Sequence, residues 1–382
     1  MKGLNPISQL PRAGTYICKS CLSSAASRKP SLRQYSSSSN PPPPSIPSSG
    51  YAQLPTRRLI SLSGPDSTHF LQGVITSNIS ASAPRTTGFY TAFLNAQGRV
   101  VNDVFIYPYG RDGTSWFIEV DAAEAAKLAK HIKRYKLRAK FDVRLLDEGE
   151  RSVWSAWSDA GAWTQHSLVP ESKDGGVVCE DQRAPGMGQR LILPSGEKPQ
   201  QDLDEYDELV YRVRRYLKGV PEGQGELLRE QALVQESNID YMGGVDYRKG
   251  CYVGQELTIR THHTGVVRKR ILPLMLYGKD EAMPTSLEYS PEKNLAPQVP
   301  AETSIGRFEK RGRSAGKWLA GVGNIGLGLC RLEIMTDTLV QGEAGAYQEG
   351  DEFKLEWTPD IEGATAEMVK AKAFVPSWHL KK

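Results

Sequence analysis

Tyr247-Arg248-Lys249-Gly250-Cys251-Tyr252-Val253-Gly254-Gln255-Glu256-Leu257-Thr258-Ile259-Arg260-Thr261-His262-His263-Thr264-Gly265-Val266-Val267-Arg268-Lys269-Arg270 gathers a thiol, a carboxylate, an amide, two imidazoles and six cations in one short stretch. Cys251 follows Lys249 by two residues and Arg248 by three, and a nearby cation favours the thiolate, the form that attacks electrophiles and binds iron. Gly250 and Gly254 bracket it, and a residue without a Cβ lets the backbone turn sharply or approach a ligand. Leu257 to Arg260 alternate apolar and polar, a strand-like pattern. The same spacing also suits a packed, inert cysteine in a tight turn, since free cysteines are among the most buried residues.

The wording of the stretch narrows that choice. Lys249-Gly250-Cys251-Tyr252-Val253-Gly254-Gln255-Glu256, followed by Arg260-Thr261-His262-His263 and Gly265 to Arg270, resembles the motif of the folate-binding, aminomethyltransferase-like proteins that act in mitochondrial iron-sulfur cluster assembly, relatives of the glycine-cleavage T-protein. A second segment, Asn95-Ala96-Gln97-Gly98-Arg99-Val100-Val101-Asn102-Asp103, is similar to the T-protein segment that lines the folate pocket and ends in two acids. Here the first acid is Asn102, which cannot take a proton as a carboxylate does. T-proteins also hold folate with a Glu before a helix-ending glycine, and Arg215-Tyr216-Leu217-Lys218-Gly219 has no acid there. Both departures weigh against aminomethyl transfer.

The chain has 382 residues and a formal net charge of +4. No run reaches the length of a membrane span. Residues 1–50 carry six cations (Lys2, Arg12, Lys19, Arg28, Lys29, Arg33) and no acid in a Ser-rich background, the composition of a mitochondrial transit segment and a Ser/Pro linker. A matrix-processing site is expected after Tyr35. Removing those charges takes the formal net charge from +4 to −2, which weakens the case for nucleic acid as partner, while the want of a span-length run weighs against a membrane partner. It also removes the Cys18-x-x-Cys21 pair and leaves Cys179, Cys251 and Cys330, too dispersed for a disulfide framework.

The remaining pattern predicts an α+β chain with antiparallel or mixed sheets. Strands are expected at 59–62, 89–94, 100–107, 116–120, 141–146 and 153–157, with Asn95 to Arg99 as a hairpin turn. Helices are expected after Gly64-Pro65-Asp66, from Asp121 to about Lys136 with Asp121 and Glu124 at capping-box spacing, and over Leu203, Tyr206, Val210, Val213 and Leu217. A strand pair is expected within 158–201. A β-barrel-like domain should occupy 266–382, with a disordered insertion near 278–303, leaving 51–265 as a folate-binding body in two parts. Gly321-Val322-Gly323-Asn324-Ile325-Gly326 matches a dinucleotide fingerprint, but no helix follows it, so tight strand turns are expected instead.

Asp103 sits among Val101, Val104, Phe105 and Ile106, where desolvation should raise its pKa; pairing with a nearby arginine is the plainer reading. His262 and His263, if extended, would face opposite ways, one beside Cys251. Arg268 to Arg270 read as a solvated face or as contacts to a folate tail. A cluster needs about four ligands, so a cluster at Cys251 must be completed by a partner.

The resemblance implies a T-protein-like body plus barrel, located in the mitochondrial matrix, acting with A-type scaffold proteins on 4Fe-4S clients such as aconitase and lipoate synthase. The residues themselves suggest Cys251 as ligand to a shared cluster, with Lys249 as its activator. Tetrahydrofolate would be bound by Asn95, Asp103, Tyr252, Gln255, Glu256, Arg260 and His262. Alternatives are a folate-dependent one-carbon transferase with Asp103 as base, and a tRNA-modification accessory factor.

Overall fold

In a computed structural model the described residues are 45–382, apart from 81–83, 111–112, 161–174, 201, 310–311, 361–362 and 382. The expected transit segment with its expected processing site, and the Cys18-x-x-Cys21 pair, lie outside them. The linker ends earlier than expected: Ser49–Gln53 is a strand, β1, with Gly50 and Ala52 buried.

The first sheet of the body forms from β2 (Arg57–Ser63), β3 (Phe89–Leu94), β4 (Val100–Pro108), β5 (Ser115–Asp121) and β6 (Asp142–Leu145), in the order β3-β4-β5-β2-β6. β4 is therefore an interior strand, and Asp103 on it is fully buried. Two helices cover one face: α1 (Ser67–Val74), burying Leu71 and Val74, and α2 (Ala125–Tyr135), burying Leu128, Ala129 and Ile132. Asp121 ends β5 instead of starting α2, and Tyr135, the last residue of α2, is 42% exposed.

The second sheet has the order β10-β1-β7-β9-β8, with β7 (Arg151–Ser158), β8 (Val177–Glu180), β9 (Gln189–Pro194) and β10 (Glu205–Tyr206). The next helix, α3 (Glu208–Lys218), starts later than its periodicity suggests. The Asp207 side chain accepts the Leu209 N–H at 2.8 Å and fixes the start, so Leu203 and Tyr206 fall upstream. Gly219, at φ 70°, ends it.

α4 (Gln255–Thr264) stands where a strand was expected. Four alternating residues fit either periodicity, and only Thr258 of this helix is buried, so no apolar stripe announced it. Its preceding residue, Gly254, adopts φ 79°.

β11 (Lys269–Tyr277), β12 (Ser304–Arg307), β13 (Gly316–Val322), β14 (Ile325–Arg331), β15 (Phe353–Trp357) and β16 (Glu367–Ala373) close a barrel in the order β11-β14-β13-β12-β15-β16. The glycine-rich run makes the β13–β14 hairpin, with Gly323 at φ 61° in the turn. β16 gave no sequence signal because it is polar: its Lys370 is buried and held by Glu352 at 2.9 Å. The 278–303 insertion is seated, not loose. Ala296 and Val299 pack into the barrel core, and the Asn324 side chain holds both the Ser290 N–H and the Glu288 carbonyl.

Candidate functional site

Two glycines bring the two motif segments together. A Cβ on Gly98, in the Asn95–Arg99 turn at φ 78°, would lie 2.8 Å from the Leu257 Cβ and 2.9 Å from the Gly254 carbonyl. Asn95 shapes this turn, its Oδ1 accepting N–H bonds from Gln97 (3.1 Å) and Arg99 (2.9 Å). Its side chain thus serves the loop, and its carbonyl abuts the motif.

Cys251 is exposed, whereas Cys179 and Cys330 are buried. Burial pushes the thiol pKa values of the latter two upward. Among the described residues Cys251 is the one cysteine that an outside group can reach.

Lys249 directs its hydrogen bonds to backbone carbonyls. Its Nζ donates to the carbonyls of Gln72 (2.7 Å), Ile75 (2.7 Å) and Ser77 (2.9 Å), clasping the end of α1, and lies 4.8 Å from the Tyr252 ring centroid. Burial pushes its pKa down to about 7, while carbonyls at a helix C-terminus favour the charged form. All three ammonium protons are spent on these acceptors. Lys249 is an anchor for the loop that presents Cys251.

Tyr252 is buried in the body core, and the Gln255 Oε1 accepts the Tyr252 N–H at 3.2 Å, closing the turn into α4. Glu256, Arg260, His262 and His263 are exposed on α4. His262 stacks on Tyr247 at 3.6 Å, and His263 meets it edge-on at 5.0 Å. Helical backbone, with about 100° between successive side chains, puts these neighbours on one side where an extended segment would separate them. Three more of the six cations are engaged as well. Arg268 pairs with Glu343, Lys269 with Glu236, and Arg270 is buried against Asp240.

Asp103 has an arginine beside it, as one of the two sequence readings had it, but on an interior strand and within a wider buried ion network that sequence reading missed. Arg57 Nε donates to Glu119 at 2.8 Å and its guanidinium stands 3.9 Å from Asp103. Arg190 bridges Glu119 and Glu222, both at 2.6 Å, and Arg183 holds Asp181 at 2.7 Å and Glu222 at 2.8 Å. Tyr211 donates to Glu222 at 2.8 Å. Burial raises the Asp103 pKa despite Arg57, whereas the arginines hold Glu222 well below the usual range although burial opposes them. The one available signal was a cation inside an apolar strand, Gln189-Arg190-Leu191-Ile192.

These groups do not fit the folate contacts that the resemblance suggests. Asp103 and Asn102 have no exposure. The Asn102 amide donates to Gln224 at 2.8 Å and its carbonyl accepts from Arg229 at 2.9 Å. Arg215, in the helix end where T-proteins carry an acid, binds Glu226 at 2.8 Å. A cavity of about 340 Å³ lies elsewhere, between body and barrel, lined among others by Arg99, Leu233, Lys269, Leu319 and Arg331 and by neither Asp103 nor Cys251.

A two-sheet body, a closed six-stranded barrel and an exposed cysteine loop define a T-protein-like architecture. The fold resembles the glycine cleavage system aminomethyltransferase T of Bartonella henselae, with a TM-score of 0.62, 13% identity and 87% of each chain covered. Residues 268–380 match the family model described as CAF17, C-terminal beta-barrel domain. The chain is 56% identical to the mitochondrial iron-sulfur cluster assembly factor IBA57 homolog of Pyricularia oryzae, covering 86% of this chain and 84% of that one. It is 50% identical to the Chaetomium globosum homolog (96% and 93%) and 47% identical to that of Neurospora crassa (98% and 90%). The chain belongs to the IBA57 family of iron-sulfur cluster assembly factors.

Proposed function

We propose that Cys251 supplies one thiolate ligand to an iron-sulfur cluster held jointly with an A-type scaffold protein in the mitochondrial matrix, on the way to 4Fe-4S clients of the aconitase and lipoate synthase type. The observation that carries this reading is the exposure of Cys251 on an anchored loop while the other described cysteines are sealed. Among the described residues no group of three His, Cys, Asp or Glu side chains could hold a metal, so the remaining ligands come from the partner. Binding is ligand exchange without electron transfer: Sγ bonds to iron in place of an exchangeable thiolate or hydroxide ligand of the scaffold-bound cluster, which leaves carrying the proton that the thiol releases.

Anaerobic mixing of the protein with a loaded A-type scaffold, followed by ultraviolet-visible spectroscopy, tests the proposal. A new cluster spectrum that depends on Cys251 supports it. An unchanged spectrum with Cys251→Ser, together with rescue of aconitase activity by that variant in cells lacking the protein, removes it. A tetrahydrofolate-dependent transferase working through Asp103 is the competing reading, and the burial of Asp103 weighs against it. Turnover of an aminomethyl donor that disappears in Asp103→Asn would favour the transferase.

A further inference from the structure

The solvent face of α2 carries a charge pattern that plays no part in the role proposed for Cys251. Between Ala125 and Phe141 lie seven cations, Lys127, Lys130, Lys133, Arg134, Lys136, Arg138 and Lys140, and no Asp or Glu. Lys127 pairs with Glu124, and Lys136 lies 5.3 Å from the Phe141 ring centroid. The other five are exposed and have no ion pair among the described residues. Acids bordering this surface are Glu124, Asp66, which accepts the Lys140 backbone N–H at 2.7 Å, Glu230 near His131, and Asp142 in β6. Cations outnumber them.

At the end of α2 the chain places an apolar tip among these charges. Leu137 is 88% exposed, and its φ of 50° lies in the left-handed region where glycine usually ends a helix. A leucine there is strained and hydrated at once, and that degree of exposure leaves little packing to offset either cost. Tyr135, one turn-residue away, is 42% exposed.

We propose that α2 and the turn after it bind an anionic phospholipid surface, with Lys130, Lys133, Arg134, Arg138 and Lys140 on the head groups and Leu137 and Tyr135 at the acyl boundary. A projecting apolar tip ringed by cations suits an interface that is anionic outside and hydrocarbon beneath. An acidic protein would match the charges but would offer no reason for a leucine held outward. No described helix is long and apolar enough to cross a membrane, and the expectation of no membrane partner rested on that criterion; surface attachment needs no span.

The test is co-sedimentation of the full chain with vesicles of equimolar phosphatidylcholine and phosphatidylglycerol, against phosphatidylcholine alone. The first residues are themselves basic, so the variants decide. Lys133→Glu with Arg134→Glu should reduce sedimentation with anionic vesicles several-fold at an unchanged melting temperature. Leu137→Gly should also reduce it several-fold while raising the melting temperature, because glycine accepts the left-handed backbone. Equal sedimentation of wild type and both variants overturns the proposal. So does failure to bind anionic vesicles, and retention on polyglutamate in that case would assign the patch to an acidic protein.

Discussion

A methyl group on Gly254 would stand 2.3 Å from the carbonyl oxygen of Asn95. The loop that presents Cys251 and the turn that leads into Asp103 approach backbone to backbone at this point, with the Leu94 and Leu257 side chains beside them, and the approach is this close because neither Gly98 nor Gly254 has a side chain.

Gly254→Ala should therefore be destabilising twice over. The left-handed φ alone costs roughly 1–2 kcal/mol for a residue with a Cβ, and displacing the Asn95 turn costs about as much again. Chemical denaturation should show a loss near the upper end of that combined range, with faster thiol labelling of Cys251 as the loop loosens.

Lys249→Met should cost about 2–3 kcal/mol, since carbonyls at the end of α1 lose their donor inside a partly buried site. If Lys249 anchors and does not activate, the labelling rate of Cys251 measured in the folded protein should hold or rise as the loop loosens. A proportionate collapse in labelling would return Lys249 to the activating role.

Thiol reagents should count one fast cysteine among Cys179, Cys251 and Cys330 in the native protein, and the other two should react only on unfolding. Mass spectrometry of the labelled peptides distinguishes the sites. Rapid native labelling at Cys330 would mean that the barrel opens far more readily than its closed topology suggests.

His379, 7% exposed beside Arg270 and Tyr241, has its pKa pushed down from 6.5 to about 3, by burial first and by Arg270 second. The folded form resists a proton that the unfolded chain accepts. This contribution to stability is complete above pH 6.5 and is lost as pH falls toward 3, with a slope of up to about 1.4 kcal/mol per pH unit. His379→Gln should flatten that part of the stability profile, and an unchanged profile would exclude the histidine as its source.

Glu222→Gln should be among the most damaging single changes in the body. It leaves Arg183 and Arg190 short of their shared counter-charge in a sealed interior, a situation that typically costs about 3–5 kcal/mol. A melting temperature within a degree or two of wild type would show that Glu119 and Asp181 suffice.

Where sequence reading succeeded, the determinant was local. Alternation gave β4 and β5, the Gly-containing turn gave the β3–β4 hairpin, and Gly219 marked the end of α3. It failed where a distant group set the outcome. α4 carries no apolar stripe because only Thr258 is buried, and β16 hides its barrel role behind a lysine whose partner, Glu352, comes from the residue before β15. The same holds for Asp103: its neighbours in sequence predicted desolvation, but only the fold brings Arg57, Glu119, Arg190 and Glu222 around it.

By itself the sequence determined the T-protein-like class, the barrel and the reactive loop, because motif wording and short-range periodicity are written in adjacent residues. Tertiary structure decided which of those residues face outward and which are consumed. Lys249 was drawn onto the carbonyls of Gln72, Ile75 and Ser77, Asp103 was sealed among arginines, and Cys251 was left in the open. The first two of these outcomes depend on polar partners far away in the chain.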